Sequence, residues 1–66
     1  MRFNSLLMAL DQNTRIRIII TIYGMKFISE QQAEFFLDNN KTVKLLDYRI
    51  TDIRVVDNVL ECVLDR

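Results

Sequence analysis

Histidine is absent from this chain of 66 residues, which removes the side chain used most often as a general base and as a metal ligand near neutral pH. The single cysteine, Cys62, excludes an intrachain disulfide, and one Cys without His cannot build a zinc site. Proline is missing and glycine occurs once, so nothing marks a linker, a low-complexity tract or a Gly-rich phosphate loop. Charge of one sign is also lacking. Nine Lys and Arg balance nine Asp and Glu, and no net field draws the chain to nucleic acid or an anionic membrane. The longest apolar stretch, Ile18 to Met25, contains Thr21 and Gly24 and falls far short of the roughly 20 residues that span a bilayer. Phe3 to Leu10 follows Arg2 but runs into Asp11 without a small-residue cleavage site, so it is read as a helix and not as an export signal. With one Cys and no such signal, the expected setting is a reducing cytoplasm.

What the chain has in abundance is apolar surface: half its residues are hydrophobic, which argues against disorder. Residues 1–66 are read as a single domain near the lower size limit for an independent core. Ordering it costs on the order of 100 kcal/mol at roughly 1.5 kcal/mol per residue, so nearly every apolar face must be covered. Self-association is the ordinary way to cover surplus apolar surface in so small a domain, and a homo-oligomer is expected.

The apolar pattern changes period along the chain. Leu6, Leu7 and Leu10 lie at helical spacing after the capping candidates Asn4 and Ser5, and Asp11 to Asn13 end that helix. From Thr14 to Tyr23 the period becomes two, with Ile16, Ile18, Ile20 and Ile22 on one side of a strand. Tyr23 and Gly24 suit a tight turn into a short return strand, Met25 to Ile28. Ser29 to Gln32 has the form of a capping box opening a second helix with Ala33, Phe36 and Leu37 buried and Phe35 at the margin, ended by a left-handed turn at Asn39 and Asn40. Thr42 to Asp47 fits either a helical turn or an irregular connection. Arg49 to Val56 is a strand with Ile53 and Val55 on one face, and the odd parity of Ile50 calls for a bulge or a later start. Asp57 and Asn58 turn the chain into Val59 to Leu64, with Leu60, Cys62 and Leu64 inward. The expected fold is α+β in the order helix, hairpin, helix, hairpin, forming a four-stranded antiparallel sheet with two short helices on one face.

Catalytic chemistry finds little support. Ser5 and Ser29 fall in capping contexts, and Cys62 alternates with core leucines. Asp47, Asp52, Asp57, Glu61 and Asp65 fall at turns or outward strand positions with no spacing that matches an acid–base pair or a magnesium site. No enzyme, metal or cofactor is expected. Binding residues are easier to name. Arg15, Arg17 and Arg54 project from the face opposite the helices, with Tyr48 and Arg49 near the start of the third strand. Such guanidinium forks suit a phosphate or nucleotide, but the expectation favours cross-strand pairing with Asp52 and Glu61 on the same surface. Ile19, Thr21, Tyr23, Val59 and Val63 fall on the same nominally exposed face and form a candidate protein interface.

The segments SLLMALDQNTRIRII, EQQAEFFLDN and LLDYRITDIRVVDNVLECVLD together resemble the small orphan α+β proteins encoded by phages and mobile elements of Gram-positive bacteria. The likeness covers core positions over nearly the whole chain and carries no catalytic or binding residue. It implies an interaction protein working in a host cytoplasm, with a host protein or a small nucleotide among its partners and inhibition of host defence among its roles. The leading expectation is a non-catalytic, homo-oligomeric protein that binds through a sheet face or edge. A nucleotide-sequestering protein with arginines at a subunit interface is the alternative.

Overall fold

The isoleucine alternation that dominates the sequence builds the central strand of the molecule. A computed structural model describes residues 1–39 and 42–66. It places β1 at Arg15–Ile22, after a first helix α1 at Phe3–Ala9, and continues with β2 (Met25–Gln32), α2 (Ala33–Asp38), a 3-10 segment (Val43–Asp47), β3 (Arg49–Val56) and β4 (Val59–Asp65). The class is α+β. Ile16, Ile18 and Ile20 are buried and Ile22 partly so, as period two requires. They pack with Phe3, Leu6 and Leu7 of α1, Ala33 and Phe36 of α2, and Cys62 and Leu64 of β4 in one core.

The sheet is mixed, in the order β2-β1-β4-β3, which corrects the expectation of a wholly antiparallel one. Each hairpin is antiparallel, but β1 and β4 run parallel at the centre, with Ile16 opposite Leu60 and Ile20 opposite Leu64. The connection between the hairpins explains the difference. Residues 33–39 and 42–48 of that connection carry Ala33, Phe36, Leu37, Leu45, Leu46 and Tyr48, all packed in or against the core, so it crosses the sheet face instead of turning back along one end. It therefore delivers β3 to the far edge with its direction reversed from an all-antiparallel order.

Both hairpin turns place their two central residues at positive φ, Tyr23 (53°) with Gly24 (76°) and Asp57 (52°) with Asn58 (65°), the conformation that matches strand twist in two-residue loops. A Cβ on Gly24 would meet nothing within 4 Å, so glycine is needed there for its backbone freedom alone. At Asn58, substitution by Ala is expected to cost about 1 kcal/mol of strain and substitution by Gly only a few tenths, as urea denaturation would measure.

The second helix begins later than the capping-box pattern suggests. Ser29 to Gln32 continue β2, Gln32 stands at the helix start without a side-chain cap, and Arg15 pairs with Gln32 at the end of an unbroken ladder. Pairing along all of β1 outweighs one capping interaction. At the helix end Asn39 is extended (φ −97°) rather than left-handed, and Asn40 lies outside the described residues. At α1, Arg2 occupies the cap position in place of Asn4 or Ser5. Within Thr42 to Asp47, Val43–Asp47 form the 3-10 segment with Thr42 at its cap, and the bulge expected near Ile50 appears as a register shift between Ile50 and Asp52.

Candidate interaction surface

The face opposite the helices carries a row of alternating charge one residue deep across the sheet. Glu30 of β2, Arg17 of β1, Glu61 of β4 and Arg54 of β3 are successive register partners. Arg17 donates to Glu30 (Nη2 to Oε1, 2.8 Å) and to Glu61 (Nη1 to Oε2, 3.0 Å), and Arg54 donates to the other oxygen of Glu61 (Nη2 to Oε1, 2.7 Å). Arg15 reaches Glu30 from one rung away, at 2.9 Å. Glu61, 5% exposed, is the one buried charged residue among those described. Hydrogen bonds from Arg54 and Arg17 hold its carboxyl below the ordinary range, and bonds from Arg15 and Arg17 do the same for Glu30.

Arg15, Arg17 and Arg54 therefore share one face, as expected, but their guanidinium groups are occupied by carboxylates. Arg15 also borders a surface cavity of about 530 Å³ whose other charged walls are Glu34 and Asp38, a lining that repels phosphate. Glu61 is one of the two partners foreseen. Asp52 instead accepts the amide of Ile53. The capping-box pattern of Ser29 to Gln32 hides Glu30 as a partner, although the alternation of Lys26, Ile28 and Glu30 is the signal for a longer strand.

Ile19 and Val63 lie side by side on this face, half-buried, with exposed Thr21 beyond them. Val59 is only 8% exposed and stands outside the core cluster, whereas Tyr23 sits in the first turn, 95% exposed, and not on the sheet face. Cys62 lies wholly buried on the helix side, and burial, followed by the charge of Glu61, pushes its thiol up to about 11. A thiol reagent at pH 8 should label Cys62 only after denaturation; labelling of the native protein at the unfolded rate would overturn its core placement.

The sheet's two outer edges differ more than its faces do. Along β3 the Ile50 amide donates to Met1 O (2.8 Å), the Phe3 amide to Tyr48 O (2.8 Å), and the outward Ile53 amide to Asp52 Oδ1 (3.0 Å). Together with the bulge, these contacts blunt that edge. β2 has no such cover among the described residues. In a two-residue hairpin the flanking pair, Ile22 and Met25, exchange their hydrogen bonds, so Phe27, Ser29 and Gln31 also bond inward to β1. The Ala33 amide, at 2.8 Å from Thr14 O, confirms the phase. Lys26, Ile28, Glu30 and Gln32 thus turn their backbone groups outward. Apolar side chains flank them on both faces: Met25 is 61% exposed, Phe27 50% and Ile28 60%.

No family model, curated protein or solved structure matches the chain. Its edges and faces must carry any functional reading. Among the described residues no cluster of His, Cys, Asp or Glu is arranged to hold a metal ion, and no helix is long and apolar enough to cross a membrane.

Proposed function

We propose that the chain is a non-catalytic protein-binding module that engages its partner by strand addition along the outer edge of β2. The asymmetry of the edges supports this reading. A regular eight-residue strand with outward backbone groups and exposed Met25, Phe27 and Ile28 is a template for another strand, whereas the opposite edge is blunted by the bulge and by the bonds at Ile50 and Ile53. Each ladder bond contributes about 0.5–1.5 kcal/mol net, and the apolar flanks add affinity as they are covered. The partner is a second copy of the chain or a host protein, the latter being the class that the likeness to mobile-element proteins implies.

Amide exchange tests the reading. The amides of Lys26, Ile28 and Glu30 should exchange quickly in the isolated chain and become protected when a protein or strand-forming peptide binds. Binding that leaves those three exchanging freely counts against edge addition.

Phosphate recognition by Arg15, Arg17 and Arg54 has less support, because each already donates to Glu30 or Glu61. Nucleoside phosphates are accordingly expected to leave the melting temperature unchanged.

A further inference from the structure

We infer that the occupant of the β2 edge is β2 of a second copy, paired antiparallel about a twofold axis at Ile28, so that two four-stranded sheets become one of eight strands. This rests on β2 being the docking edge and adds the partner and the register.

The register follows from the outward residues. In a twofold antiparallel pair centred on Ile28, Ile28 faces Ile28 of the second copy, and Lys26 faces Glu30 at both ends. All three positions turn their backbone groups outward, so each facing pair exchanges two hydrogen bonds. Centring on Lys26 or Glu30 sets like charges together at the axis, while centring on Phe27 or Ser29 leaves Lys26 opposite Ile28 or Gln32. Of these registers, only the one centred on Ile28 matches opposite charges.

The side chains agree with that choice on both faces. Lys26 is exposed and has no ion pair among the described residues, and Glu30 ends the charged row at this edge. Across the axis Lys26 would extend the row Arg54, Glu61, Arg17, Glu30 by one further opposite charge. On the helix side, Phe27 of each copy lies diagonally across the axis from its counterpart, within reach of an aromatic contact. Exposed apolar groups at the strand centre are thereby covered on both faces, and charges pair at the ends.

Sedimentation and single-cysteine cross-linking test this on the full chain. The wild type should dimerise reversibly at sub-millimolar concentration. Lys26→Glu, which sets Glu against Glu30 twice, should weaken the dimer about tenfold. Under mild oxidation Ile28→Cys should give a disulfide-linked dimer and Lys26→Cys none, with Cys62 too buried to interfere. A wild type that stays monomeric, or cross-linking at Lys26→Cys in preference to Ile28→Cys, overturns the proposal. Such a monomer whose Lys26, Ile28 and Glu30 amides are still protected by a strand-forming peptide would retain the docking edge while losing self-pairing. A monomer that no strand protects would lose both.

Discussion

Phe36→Ala is expected to remove a large part of the chain's stability at room temperature. Phe36 is fully buried and meets Phe3 edge-on, with ring centroids 5.5 Å apart and planes at 69°, so it joins α2 to α1 over the sheet. Truncating a core phenylalanine costs about 3–5 kcal/mol. A domain of this length has roughly 3–10 kcal/mol in total, at about 0.05–0.15 kcal/mol per residue. The loss is not recovered locally, because α2 is six residues long and such a helix does not persist without its packing. Phe35, next in sequence and 37% exposed, supplies the contrast: Phe35→Ala should cost less than about 1 kcal/mol. Far-ultraviolet dichroism and urea titration distinguish the two, and should be run at several protein concentrations because a dimer adds stability by mass action. A loss below about 1 kcal/mol for Phe36→Ala would mean that the helices do not depend on this contact.

The core was legible because period two and helical spacing are local signals. Ile16, Ile18 and Ile20, Phe36, and the inward face of Cys62 and Leu64 all follow from them. The positive φ at Asp57 and Asn58 and the bulge after Ile50 follow from residue chemistry and parity in the same way. The parallel pairing of β1 with β4 depends on how the two hairpins are connected, and no local pattern encodes that. The candidate site was half legible for a related reason. Arg15, Arg17, Arg54 and Glu61 could be assigned to one face, but Glu30 lies in Ser29 to Gln32, whose local capping preference is overridden by pairing with β1. Losing Glu30 shortened β2 by half. The outward backbone groups of the second half of β2 follow only from the pairing with β1.

Glu61→Gln should destabilise the fold at neutral pH and flatten its response to acid. Glu61 is the central acceptor of the charged row, taking bonds from Arg17 on one oxygen and Arg54 on the other while its side chain is only 7% exposed. Glutamine keeps the shape but turns an NH2 group towards one guanidinium, donor against donor, and takes away the anion that Arg54 faces, while Arg17 keeps Glu30. The bonds that Glu61 and Glu30 accept lower both carboxyls in the folded state below the ordinary 4.5. A depressed folded value means stability that is complete above the unfolded value and lost as pH falls through the folded one. The wild type should therefore weaken progressively once the pH drops below about 4.5, and Glu61→Gln should lack its share of that slope. Glu30→Gln, at a side chain 32% exposed, should act in the same direction with smaller effect, since water can replace part of what is removed. Replacing Arg17, Arg54 and Glu61 together by apolar residues should recover much of the loss, because Glu30 keeps Arg15 and no arginine of the row then faces a missing anion. Urea midpoints from pH 3 to 7 for the four proteins measure all of this. Equal midpoints and equal slopes for wild type and Glu61→Gln would show that the row aligns the strands without stabilising them.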